Sequence, residues 1–214
     1  MNFQIFIQKF KDCLRHSLPG EDVQLRMAPD GRLTHKEYYS SISNPRQSAV
    51  LICIYPRNDI AHTVLILRPD KQGIHSGQVS FPGGSYDESD INLEMTALRE
   101  AEEEIGIKRE DVIIIGKLTP LIIPVSGFHV HPFLGVINEA PIFLLNSSEV
   151  MSVIEIELNL LLDQKIKLRD QFLTGTGLSL SAPYYEFVQH KVWGATAMML
   201  SEIEEIIRQM EISA

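Results

Sequence analysis

The stretch FPGGSYDESDINLEMTALREAEEEIGI, Phe81 to Ile107, decides how the chain folds. It opens on a Pro-Gly-Gly break, crosses a polar loop and then changes period. Apolar residues recur at helical spacing from Leu93 to Ile105, and Gly106 follows as a stop, so the spacing predicts a helix over 93–105. Four carboxylates crowd its end: Glu100, Glu102, Glu103 and Glu104. With Glu100 at zero on a wheel of about 100° per residue, Glu103 lies at about −60° and Glu104 at about +40°. These three share one face. Leu98, Ala101 and Ile105 gather roughly 130° away and can face a core. Glu102 points elsewhere, toward water.

Two physical readings of the trio are open. On an exposed helix each like-charged pair at i,i+3 or i,i+4 costs only about 0.2–0.5 kcal/mol, so a solvated acidic face is tolerable. In a cleft of effective dielectric ~20, charges ~5 Å apart repel by about 3 kcal/mol. There the cluster binds protons or recruits a divalent cation. Oxygen ligands with open positions suit Mg²⁺ or Mn²⁺, which retain waters and bind phosphates. The surroundings lean toward the ion. Phe81-Pro82-Gly83-Gly84 removes side-chain bulk and lets backbone carbonyls approach a ligand. Arg99 can orient carboxylates through its planar fork.

Upstream, SAVLICIYP (48–56) and HTVLILR (62–68) are β-branched runs separated by RNDIA, which predicts an antiparallel pair. HSGQVSFPGG (75–84) reads as a short strand ending at the glycine turn. Downstream, strands are predicted in 111–124, 128–137 and 148–158, with a last one over 184–194. LNLLLD begins a short helix, and Thr196 to Ile212 carries an apolar helical stripe. Helix, strands, helix, strands, helix implies a mixed sheet with helices on both faces.

The 214 residues suggest one domain over 1–214, with 1–47 as an N-terminal helix and arm. Phe3, Ile7, Phe10 and Leu14 mark that helix, closed by Leu18-Pro19-Gly20. Pro29-Asp30-Gly31 predicts a turn in a loop-rich arm. The formal net charge of −9 argues against non-specific binding to nucleic acid or anionic membrane. No apolar run approaches the ~18–20 residues that span a bilayer, and the N-terminus has no secretory apolar stretch. Cys13 and Cys53 fit reduced thiols, and the expected location is cytoplasmic. His129 and His131 share a strand face without a third metal ligand nearby. Trp193 reads as a core or rim anchor, and Ser126-Gly127 as a turn.

Arg99-Glu100-Ala101-Glu102-Glu103-Glu104-Ile105-Gly106-Ile107 resembles the second half of the Nudix hydrolase signature. The spacing from Gly84 to Arg99 is one residue longer than usual. Asp90 or Ile91 stands where that signature has its upstream Glu, with Asp87 and Glu94 as further carboxylates nearby. The longer spacing, with FPGG, Asp87 and Asp90, and TALREA, is similar to the coenzyme A pyrophosphatase branch. LILRPDKQGIHSGQVSFPGG is similar to that branch's upstream motif, though Pro69 and Gly73 depart from it. The resemblance implies a Nudix-like α/β/α sandwich with a mixed central sheet. It implies Glu100, Glu103, Glu104 and the Gly84 carbonyl as ligands of Mg²⁺ or Mn²⁺. Glu100 or Glu103 serves as general base, and Arg99 positions the carboxylates. Arg68, Lys71, His75 and Gly83 are the substrate-binding candidates. The implied substrate is coenzyme A or an acyl derivative. Another nucleoside diphosphate derivative, such as a nucleotide sugar or dNTP, is the second reading, and a non-catalytic nucleotide sensor the third. The arm either caps the cleft or joins a homodimer.

Overall fold

β1 (Arg46–Arg57) and β2 (Ile60–Leu67) form the expected antiparallel pair, with Arg57 opposite Ile60. Asn58 and Asp59 turn the chain at φ of 52° and 63°. Asn and Asp tolerate this left-handed region better than most residues. The computed structural model describes residues 1–34, 36–38, 44–70, 77–173, 177 and 179–212.

Away from that turn the two strands part, and the glycine-rich segment fills the split. β3 (Val79–Ser80) pairs with β2, and β4 (Gly83–Ser85) pairs with β1. Between them the Pro82 carbonyl accepts from Leu51 N–H at 2.9 Å. β8 (Ser152–Glu157) takes the other edge of β2. β7 (Phe128–Val136) runs parallel to β1, and both β5 (Ile113–Lys117) and β6 (Leu121–Ile123) pair antiparallel with its far edge. The central sheet is therefore mixed.

Its two faces follow from the two-residue repeat of a strand. Leu51, Cys53 and Tyr55 of β1 pack with Ala97, Leu98, Ala101 and Ile105 of α3 (Leu93–Ile105). Ile52 and Ile54 face the other way, into α1 (Phe3–Leu14) and α4 (Gly194–Ile212). α2 (Glu21–Gln24) joins α1 to the arm. Phe3, Phe6 and Phe10 are buried, worth together roughly 5–9 kcal/mol as an upper estimate. The α/β class with a mixed central sheet is as the sequence implies, and the helices lie on both of its faces.

Two expectations need correction. The single strand over 184–194 is a hairpin of β10 (Ser179–Phe187) and β11 (His190–Trp193), turned at Val188 and Gln189. β9 (Lys167–Leu173), not anticipated, pairs with β10 and completes a second, three-stranded sheet. Among the described residues, no helix is long and apolar enough to cross a membrane.

Candidate active site

α3 is fixed at both ends. The Asn92 side chain accepts from Met95 N–H at 3.0 Å, a standard N-cap. Gly106 closes the helix at φ 73°, and a Cβ there would meet Leu144 Cβ at 2.7 Å. The last carbonyls do not face water. Glu104 O accepts from Asn146 N–H and Ile105 O from Leu144 N–H, each at 3.0 Å. This docks the following loop against the helix end and brings Glu149 beside the acidic face.

Glu104 is the deepest carboxylate, with 2% of its side chain exposed. Its Oε2 accepts from Gly83 N–H at 2.8 Å, and Arg68 Nη2 stands 3.6 Å from Oε1. Arg68 is itself held, donating to Ser80 Oγ and to Gly83 O at 3.1 Å each. Burial pushes Glu104 up to about 7; Arg68 and the Gly83 N–H oppose the shift, while the charges of Glu100 and Glu149 add to it. Glu100 is raised too, mainly by burial, against the pull of Arg99. Gly84 passes so close that a Cβ on it would lie 2.5 Å from the Glu100 carboxylate.

Arg99 ties the acidic groups together. Its Nε and Nη2 grip Asp90 at 2.9 and 3.0 Å, and Nη1 donates to Glu100 at 2.9 Å and Glu103 at 3.2 Å. Asp90 also accepts from Thr96 Oγ1 at 2.8 Å, and the Arg99 guanidinium holds its carboxyl down at about 2. Asp90 is thus the carboxylate upstream of the helix that Arg99 holds. Ile91 is exposed, and Asp87 is spent on Ser89. Glu102 pairs with Arg109 rather than pointing freely to water.

The predicted residues are brought together unevenly. Glu100, Glu104, Gly83, Gly84 and Arg68 line one cavity of about 630 Å³. Glu103 does not line it; it is 55% exposed and reaches the group only through Arg99. Lys71 and His75 lie outside the described residues. Glu149 and, from the arm, Arg32 also line the cavity. Sequence reading missed both, because a lone Glu or Arg on a loop carries no spacing signal. Trp193 borders the cavity while stacking on Phe172 at 4.5 Å, a rim anchor as expected. His129 and His131 sit 4.3 Å apart, and His131 bonds Gln47.

Among the described residues, no three His, Cys, Asp or Glu side chains converge tightly enough to clasp an ion as they stand. Arg99 engages Glu100 and Glu103 instead. The donor set still fits a hard cation: every donor is oxygen, and burial pushes Glu100 and Glu104 toward protonation, which a cation would relieve.

Comparison with known proteins agrees with this architecture. A family model described as NUDIX domain matches residues 45–167. A Yersinia pestis (strain Pestoides F) protein named Uncharacterized Nudix hydrolase NudL is 37% identical over 178 residues, covering 83% of this chain and 86% of that protein. Among solved structures, a MutT/nudix family protein from Enterococcus faecalis aligns with a TM-score of 0.54 at 13% identity, over 91% of this chain and 76% of that one. A MutT protein from Methanosarcina mazei Go1 aligns at 0.50 with 15% identity, over 78% and 97%.

Proposed function

The chain belongs to the NUDIX domain family, and from that premise we propose that this hydrolase of diphosphate linkages cleaves coenzyme A or an acyl derivative, yielding 4′-phosphopantetheine and 3′,5′-ADP. One observation carries the substrate choice. The cavity does not end at Glu100 and Glu104 but continues past Ile123, Val125, Phe128, Leu180 and Met199. At about 630 Å³ it has room for groups on both sides of a diphosphate. The resemblance of residues 68–106 to the coenzyme A branch points the same way.

Glu100, Glu103 and Glu104, with the Gly84 carbonyl, would hold Mg²⁺ or Mn²⁺. Bound there, the ion offsets diphosphate charge and lowers the pKa of a water. The protein's own groups do the rest. Arg68 stands at the acidic end as a cation for substrate phosphate. Arg99 keeps Glu100 and Glu103 oriented while Asp90 fixes Arg99. A carboxylate must take the proton of the attacking water. Glu100 and Glu103 are the candidates on the helix. Glu149 joins them as a cavity carboxylate that neither Arg99 nor Gly83 holds.

A panel assay tests the proposal. The protein is incubated with Mg²⁺ or Mn²⁺ and coenzyme A, acetyl-coenzyme A, a nucleotide sugar or a dNTP, and products are read by mass. Equal or faster turnover of the dNTP would overturn the coenzyme A choice. Glu104→Gln should lose on the order of 100-fold or more in kcat at saturating metal; wild-type turnover would remove Glu104 from the ligand set.

A further inference from the structure

The NUDIX match begins at residue 45, yet part of the cavity wall comes from before it. Pro29, Asp30, Gly31, Arg32 and Tyr38 of the arm line the same space as Glu100 and Glu104. Among the described residues, two of the lining side chains are cationic. Arg68 stands at the acidic end, and Arg32 stands on the arm.

Arg32 is fixed from the sheet side. Its Nη2 donates to Ile122 O at 2.5 Å, and its guanidinium lies 5.7 Å from the Tyr38 ring centre. The turn that presents it is the expected one: Arg32 N–H bonds Pro29 O at 3.2 Å, and Gly31 sits at φ 76°. β4, β1, β7 and β6 are successive neighbours. Ile122 therefore stands three strand spacings across the sheet from Gly84, roughly 14 Å, and two residues further along it. Arg32 is thus well separated from the diphosphate-binding end, by about the reach of a nucleotide.

A cation held this way is out of balance. Among the described residues Arg32 forms no salt bridge, and its Nε is buried without a partner. Burial lowers its pKa, and the nearby Glu21 and Tyr38 only partly oppose that. Asp30 lines the same region but is paired with Arg169 at 2.8 Å. A half-buried, hydrogen-bonded cation with no carboxylate in salt-bridge contact is stabilised by an anion delivered from the cavity.

We infer that Arg32 forms a second anion subsite, which takes a phosphomonoester carried by the substrate at a distance from the scissile diphosphate. The inference rests on reading the cavity as a diphosphate-hydrolase site. It makes Arg32 a specificity residue contributed by the arm, outside the family's matched region. A diphosphate bearing an extra ribose phosphate would bridge Arg68 and Arg32, while one lacking it would leave Arg32 uncompensated.

The test uses matched pairs and the full-length protein. Hydrolysis is compared for coenzyme A against dephospho-coenzyme A, and for ADP-ribose 2′-phosphate against ADP-ribose. Binding of adenosine 3′,5′-bisphosphate and of adenosine 2′,5′-bisphosphate is compared with that of AMP by calorimetry. Wild type should favour at least one phosphorylated member about tenfold or more in kcat/KM, through KM. The same preference should appear in binding. Arg32→Met should shrink the ratio to within about threefold, and Arg32→Lys should keep part of it. Equal treatment of every pair by wild type overturns the inference even if both variants fail to fold. So does a preference that survives Arg32→Met. If no diphosphate is hydrolysed, the hydrolase reading of the site fails, and the bisphosphate binding comparison still decides the subsite.

Discussion

A methyl group added at Gly83 would meet Ala49 O at 2.4 Å and Val50 Cα at 2.6 Å, both backbone. One added at Gly84 would meet first the end of the Glu100 side chain, at 2.5 Å. Gly83 also sits at φ 154°, where an L side chain is strained. Gly83→Ala should therefore pry β4 from β1 and destabilise the fold by about 2 kcal/mol or more. Gly84→Ala should leave the melting temperature nearly unchanged and lower kcat by about tenfold or more, by displacing Glu100. Thermal melts beside kinetics separate the two; equal loss of stability in both variants would refute the contrast. Asp90 carries the pH signature. Its folded pKa of about 2 lies below the ordinary 3.8, so the charged form adds stability above about pH 4. That contribution fades as pH falls from about 4 to about 2. Asp90→Asn should lower stability at neutral pH by about 1–3 kcal/mol and flatten the acid limb of a melting profile between pH 2 and 6.

At the scale of elements, legibility followed local pattern. α3 could be read to its last residue because the helical period and the C-terminal glycine agree over one stretch, while its N-cap, Asn92, went unread. The β1–β2 pair was legible from two β-branched runs around Asn58-Asp59. β9 was not, because Lys167–Leu173 is exposed along most of its length and shows no alternation to read. The β10–β11 turn was invisible for another reason. Val188 and Gln189 occupy positive φ of 46° and 66° without any Gly, Asn or Asp to announce a turn. A β-branched residue there is strained. Val188→Asn with Gln189→Gly should consequently stabilise the protein by about 0.5–1 kcal/mol. Urea unfolding would reveal this as a higher midpoint at unchanged slope, and a lower midpoint would mean that Val188 packs usefully where it stands.

Across the whole molecule, the site was legible only where one helix carries it. Glu100, Glu103, Glu104 and Arg99 are neighbours in sequence, so their meeting needs nothing beyond helical pitch. Glu149 and Arg32 reach the cavity because distant loops dock there, which spacing cannot reveal. What docks the arm is a second carboxylate, on α4. Glu202 is fully buried and accepts from Gly20 N–H, Gln24 Nε2, Thr119 N–H and Thr119 Oγ1 at 2.7–3.3 Å. Asp30 N–H on Ser181 O and the Arg26–Glu205 pair extend the seam. Glu202→Ala would strand these donors, each left unmade at about 1–3 kcal/mol. Loss of about 3 kcal/mol or more is expected. The core should hold, since Phe3, Phe6 and Phe10 anchor α1 independently of Glu202. Residues 20–32 should then exchange their amide hydrogens faster than α3 does. Because those residues carry a cavity wall, KM should rise several-fold while kcat falls less. A fall in kcat at constant KM would instead place the effect at the acidic face of α3 and break the link between arm and substrate.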